Sequence, residues 1–428
     1  MLQNRHIFKL RMIRYIMVTK YDVFEIAYNY GGFLNVDKIL EKLNKSKDEY
    51  HKVYHLLSKL YSDGFVKKDQ LGYSIVKNKR SKDLYKIVYY CIRNSINYNL
   101  FFDNNFINFV KRGLALGSIN QKKMKVNSRT FSKYVEILEK YGLLLIISKK
   151  PFSAIIFYNV LINNLLAFFG IQEFNLKNKK VNYFKIIENQ RLLFKKLKKK
   201  NERGFLSILK EFEVSFIYHS LSLEGNRATL PDTVKIIDEK IVPENLRLED
   251  IDEVRNYNLA LSEMFKDVES GVLISTDLIL KYHSLAMGHK IEFAGRIRDV
   301  GVHIKGNLNF RVGHFSEIKK NLDNLIYEYN NFMLEKKKTV KEIIEFAAFF
   351  HNEFQFIHPF VDGNSRTTRL LLFHLLNSLD TPVLDIPLGL LDEYLNSTKG
   401  AKKRSDAELS LALQRLVLFN LKKINDRL

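Results

Sequence analysis

The spacing of apolar and polar positions divides the chain into short helical segments punctuated by glycine. Tyr21–Tyr30 repeat apolar residues at helical spacing, and Gly31-Gly32 closes the run. Val36–Leu43 predicts a second short helix. Ser46, with Glu49 three residues on, predicts a capping box opening a third. In that helix Tyr50, Val53, Tyr54, Leu57, Leu60 and Tyr61 share a face, and Gly64 ends it. The period then changes to two. Phe65–Lys68 and Tyr73–Lys77 predict strands joined by Asp69-Gln70-Leu71-Gly72.

The plan recurs further on. Phe106–Leu116 and Ser128–Tyr141 predict helices, the second ended by Gly142. Leu143–Ile147 and Ala154–Tyr158 predict a hairpin around Lys149-Lys150-Pro151. Helices followed by a hairpin, twice over, resemble winged helix-turn-helix units, one over residues 1–85 and one over 86–165. On the second helix of the later unit, Arg129, Ser132 and Lys133 point outward, preceded by Lys122, Lys123 and Lys125. In a winged helix such groups meet phosphates and base edges.

A helical linker is expected over 166–205, carrying the basic run Lys195, Lys196, Lys198, Lys199 and Lys200, which reads as a solvated face. The most apolar stretch, Val160 to Ile171, is too short to span a bilayer and reads as a buried helix. From 206 to 428 the period is helical almost throughout, as in a helical bundle. One exception is Arg298–Gly306, where Val302, His303 and Ile304 predict a short strand. The expected fold class is therefore mainly α, with small α+β units at the front.

Charge separates the two halves. The chain carries +22 overall. Residues 1–200 hold 39 basic and 14 acidic side chains, a balance of +25; residues 201–428 hold 30 and 33, a balance of −3. A basic half points to a polyanionic partner, most simply DNA bound through residues 1–165. The single cysteine, Cys91, excludes an internal disulfide and sits in an apolar run. No secretory leader is visible, so a reducing, cytoplasmic location is expected, with no membrane association.

The chemistry concentrates in residues 358–369, His-Pro-Phe-Val-Asp-Gly-Asn-Ser-Arg-Thr-Thr-Arg. An apolar helix with Phe349, Phe350 and Phe354 leads in, and one with Leu370, Leu371, Leu372 and Leu375 leads out. The backbone N–H groups of Gly363, Asn364 and Ser365 lie at the mouth of the second helix, where the helix dipole favours an anion. Arg366 and Arg369 are three apart and share a face, so both can fork onto phosphate oxygens. Asp362 is a hard oxygen ligand suited to Mg²⁺. His358 is the group here that can take a proton near neutral pH. Base, metal ligand, anion cradle and two arginines are the parts for phosphoryl or nucleotidyl transfer.

This segment resembles the Fic family motif H-x-F-x-[DE]-G-N-G-R-x-x-R, with His358, Phe360, Asp362, Gly363, Asn364, Arg366 and Arg369 in place. Ser365 stands where the family usually has Gly. The helix before it, with Ala347, His351, Phe354 and Ile357, also fits. Ser220 to Asn226 resembles the family's inhibitory motif, in which Glu224 would pair with Arg369 and Ser220 is the hydroxyl residue. The resemblance implies a helical Fic-type domain over 206–428 with a β-hairpin flap at Val302, His303 and Ile304 that docks the target. It implies ATP and Mg²⁺ as reactants, His358 as base, and transfer of AMP to a Ser, Thr or Tyr hydroxyl of a protein, the chain itself among the candidates. Self-association as a homodimer stays open. The alternative reading is a DNA-binding transcriptional regulator whose Fic domain senses nucleotide or removes AMP.

Overall fold

The computed structural model describes residues 18–171, 182–244, 246–304, 307, 309–398 and 403–428. Its described residues are mostly helical, with two small antiparallel hairpins. They fall into two compact units. One takes the residues up to Ala115 and those from Val160 to 171; the other takes Leu116–Asn159 and the residues from 182 onward.

The first unit begins with α1 (Lys20–Tyr30), capped by a reciprocal Thr19/Asp22 box and closed by Gly31 in the left-handed region. Then come α2 (Val36–Leu43) and α3 (Tyr50–Ser62). The capping box expected at Ser46 and Glu49 does not form. The Ser46 hydroxyl donates to Asp48 instead, a 3₁₀ turn occupies Lys47–Glu49, and Glu49 pairs with Lys45 and Lys52. Two lysines within reach outbid a backbone amide for that carboxylate.

Strands β1 (Val66–Asp69) and β2 (Gly72–Ile75) pair with Val66 opposite Ile75, and Leu34 bridges to Tyr73. Gly72 is required there: a Cβ would sit 2.7 Å from the Leu34 carbonyl oxygen. Helix α4 (Lys79–Arg93) buries Cys91, whose thiol is pushed up by burial. After α5 (Asn104–Leu116), the unit resumes with α8 (Val160–Phe168), which buries Leu161, Ile162, Leu165 and Leu166. No helix among the described residues is long and apolar enough to cross a membrane.

The second unit opens with α6 (Gln121–Met124) and α7 (Ser128–Lys140), then β3 (Leu144–Lys149) paired with β4 (Phe152–Ile156). Arg129, Ser132 and Lys133 are exposed on α7, as are Lys122, Lys123 and Lys125 before it. This hairpin packs on the C-terminal helices: Gly389 N–H donates to Gly142 O at 3.0 Å, and Asn159 donates to Leu388 O at 3.1 Å. Helix α9 (Phe184–Lys200) lies along the same layer. Its Arg191 donates twice to Leu379 O, and Asn425 donates to Gln190 O.

The bundle consists of α10 (Glu202–Ser222), α11 (Leu230–Val234), α12 (Leu248–Glu269), α13 (Thr276–Ala286), α14 (Ile318–Leu334), α15 (Val340–Ile357), α16 (Asn364–Ser378), α17 (Leu388–Ser397) and α18 (Asp406–Asn425). Helix α16 is buried nearly all round, from Asn364 through Leu376, so it is the axis on which the others pack. Among the described residues Val302, His303 and Ile304 form no strand. A ladder needs a partner, and none of the described residues pairs with this stretch. Ile304 instead packs against Phe310 and Val312, and Asn307 N–H turns back to its carbonyl. Lys305 and Gly306, at the far end of the expected flap, lie outside the described residues.

Candidate active site

The site is the joint between α15 and α16. His358 ends α15 with φ 49° and ψ 60°, its N–H reaching Phe354 O. Its Nδ1 lies 3.2 Å from Gln355 O, and a carbonyl only accepts, so Nδ1 carries the proton and Nε2 keeps its lone pair. Burial pushes the His358 pKa down to about 4, against a smaller opposing effect of the Gln355 carbonyl. The positive charge of Arg298 adds to the lowering, and Asp362 opposes it. The ring is therefore neutral across the ordinary pH range.

The loop that follows is closed by its own side chain. Asn364 accepts from Phe360 N–H at 3.0 Å and donates to Phe360 O at 2.7 Å. Gly363, the N-cap of α16, has φ 79°, and a Cβ there would come within 2.7 Å of Met287 Cγ and Sδ. The left-handed positions of the motif are thus His358 and Gly363, and Ser365 is not one of them. Serine at the second helical position costs the backbone nothing. Beneath the loop, His283 stacks on Phe360 with ring centroids 3.6 Å apart. Its Nδ1 accepts from Gly295 N–H and its Nε2 donates to Asp362 O. Burial depresses its pKa to about 4, so it too is neutral.

Both motif arginines are buried and engaged. Arg366 pairs with Glu253 of α12 and, at 3.2 Å, with Asp362. Arg369 donates through Nη1 to Glu224 at 2.9 Å, through Nε to the Ser220 hydroxyl at 2.6 Å and through Nη2 to Ser220 O at 3.0 Å. The turn carrying Glu224 is fixed from α12. Gly225 has φ 93°, and Asn226 donates to Glu253 at 2.6 Å and to Asp250 O at 3.0 Å. Tyr257, fully buried, accepts from Ser220 and donates to Arg366 O. Arg369 and Ser365 line a small cleft with Leu223, Gln355, Tyr394 and Thr398.

The structure thus brings together His358, Asp362, Gly363, Asn364, Ser365, Arg366, Arg369, Ser220 and Glu224. Sequence reasoning missed Glu253, Tyr257, His283 and Arg298. Glu253 and Tyr257 sit at amphipathic positions of a long helix, where a carboxylate and a tyrosine look ordinary. His283 looks like a core histidine, which it also is. Arg298 opens the expected strand segment, with no spacing to single it out.

Parts of the chain are similar to known proteins. The sequence profile of the Fic/DOC family matches residues 273–376. A protein adenylyltransferase Fic of Nematostella vectensis is 34% identical over 171 residues, covering 38% of this chain and 37% of that protein. One of Drosophila mojavensis is 26% identical over 194 residues, covering 45% and 38%. The chain therefore spans little more than a third of the length of these relatives. Among solved structures, a fragment of Fic-1 from C. elegans aligns with 22% identity and a TM-score of 0.47, over 57% of this chain and 71% of that one. Residues 273–376, which contain the His358–Arg369 motif described above, are similar to the Fic/DOC family, and part of the chain is similar to protein adenylyltransferases Fic.

Proposed function

We propose that this chain is a protein adenylyltransferase that moves AMP from ATP onto a Ser, Thr or Tyr hydroxyl of a protein, its own hydroxyls included, and that Glu224 restrains it. The observation that carries the reading is the neutral His358, with Nδ1–H tied to Gln355 and the lone pair on Nε2, on the same tight loop as the cradle and both arginines. His358 Nε2 takes the hydroxyl proton. The oxygen bonds to the α-phosphorus as the bond from that phosphorus to the pyrophosphate oxygen breaks. The N–H groups at the start of α16 face the charge that builds on the α-phosphate. Arg366 and Arg369 hold the remaining phosphates.

Asp362 suits a magnesium ion that arrives with the nucleotide. Its carboxylate is 57% exposed, and its Oδ1 takes the contacts from Gly363 and Arg366. Among the described residues no three acidic, histidine or cysteine side chains cluster as a metal cage. Asp362 would hold such an ion together with phosphates and water. When bound, the ion neutralises phosphate charge. Incubating the Glu224→Gly protein with α-labelled ATP and Mg²⁺ tests the proposal; label that never becomes protein-bound sinks it.

A second reading concerns DNA. Arg129, Ser132 and Lys133 share an exposed face of α7, with Lys122, Lys123 and Lys125 exposed beside it. A basic face of this kind favours phosphate backbones. The full chain should bind duplex DNA with a steep salt dependence, and Arg129→Ala with Lys133→Ala should flatten the slope. A slope unchanged by the pair removes this face from the reading.

A further inference from the structure

The last carbonyls of a helix have no partners within it and must find them elsewhere. Around His358 that accounting is complete. Phe354 O takes the His358 N–H, and Gln355 O takes His358 Nδ1–H. Phe356 O takes Gly313 N–H at 2.7 Å. The next three carbonyls go to a single residue. Arg298 Nη2 lies 3.5 Å from Ile357 O, its Nε donates to His358 O at 2.6 Å, and its own N–H donates to Pro359 O at 2.9 Å. The same guanidinium also donates to Val300 O at 2.6 Å and to Gly313 O at 2.7 Å.

Arg298 is 4% exposed, and every acceptor it meets is a backbone carbonyl. A positive charge suits a helix C-terminus, where carbonyl dipoles converge. The planar fork matters as much as the charge. It reaches acceptors on the His358 turn and at both ends of the 300–313 segment, which a single ammonium cannot do in that plane. The cap of the helix bearing His358 is therefore supplied by Arg298.

Building on the transfer reading above, we propose that Arg298 is a positioning residue that locks the His358 turn to Val300 and Gly313, setting the register of the base. It touches no reacting atom. Its contribution is register, and a shift of about 1 Å in such a site costs on the order of 100-fold in rate.

The test uses the full chain in the Glu224→Gly background, with α-labelled ATP, Mg²⁺ and the chain's own hydroxyls as acceptor. Arg298→Lys keeps the charge and loses the fork. Its labelling rate should fall tenfold or more while ATP affinity stays within twofold and the melting temperature within a few degrees. Equal rates for the parent and the Arg298→Lys variant overturn the proposal. So does a loss of rate that merely follows a parallel loss of ATP affinity and melting temperature. If the Glu224→Gly protein itself labels nothing, the transfer reading fails, and a second measurement decides this one. The charged groups facing the His358 ring are Arg298 and Asp362. The His358 imidazole resonances, assigned with His358→Ala, should move in Arg298→Met and titrate at higher pH than in the parent. Unchanged shifts and titration overturn the role of Arg298 whatever the activity.

Discussion

Arg369 is held against the Glu224 carboxylate at 2.9 Å, and both remaining arms of its guanidinium are spent on Ser220. On the proposed transfer reading, a γ-phosphate seeking Arg369 would compete with that carboxylate for one nitrogen, and the pair would discriminate between nucleotides. A hydrogen bond between charged groups is worth about 1.5–3 kcal/mol, so its removal should tighten ATP binding roughly tenfold or more. Glu224→Gly should do this for ATP and leave ADP nearly unchanged, as read by calorimetric titration. Arg369→Ala should bind both alike, with or without Glu224. Equal tightening for ADP contradicts the competition.

Glu253 is the half-buried partner of the buried Arg366 and also takes the Asn226 amide. Its loss leaves a guanidinium that is 4% exposed with only the partly exposed Asp362 beside it. Leaving a buried charge without its partner costs about 3–5 kcal/mol. Glu253→Ala should lower unfolding free energy by about that much in urea titrations. A loss below about 1 kcal/mol, the range of exposed pairs, means that water already screens this contact.

Gly363 faces two separate obstacles to a side chain: a left-handed φ of 79°, and Met287 atoms 2.7 Å from where a Cβ would lie. Gly363→Ala should destabilise the chain and cut transfer. Adding Met287→Ala opens the space but leaves the backbone strain of about 1 kcal/mol. The double variant should recover part of the stability lost at Gly363 and little of the activity. Full recovery of both means that the φ angle is not required.

The buried histidines set an acid limit. His283 and His358 have pKa values lowered to about 4 and His351 to about 3, in each case chiefly by burial. In the unfolded chain they titrate near 6.5. The unfolded state then binds more protons between these limits. Stability is full above about pH 6.5 and is lost as pH falls towards 4, by roughly 1.4 kcal/mol for each pKa unit per histidine. Calorimetric unfolding at pH 5 in buffers of different ionisation heats should show net proton uptake; uptake near zero contradicts the lowered values.

The motif was legible because its residues are close in sequence and each has a chemical reason for its place. Helix α2 was legible to the residue because Asn44 and the apolar spacing mark its end. What escaped were partners brought in by packing. Glu253 lies 113 residues from Arg366, and nothing in its own helix distinguishes it from any solvent-facing glutamate. The box expected at Ser46 failed because local lysines took the carboxylate, whereas real boxes form at Thr229 with Asp232 and Thr339 with Glu342. The expected strand at Val302–Ile304 failed because alternation marks an edge but does not supply a partner.

The central claim is that His358 deprotonates a protein hydroxyl so that AMP, and not the γ-phosphate, is transferred. Its most direct test sets the Glu224→Gly protein beside the Glu224→Gly, His358→Ala protein, each given ATP labelled at the α or at the γ position with Mg²⁺. The account predicts protein-bound label from the α position alone, lost by at least 100-fold with His358→Ala, a general base being worth about 10²–10⁴-fold. Calorimetry should find ATP binding retained. Label from the γ position, or α label undiminished without His358, contradicts it.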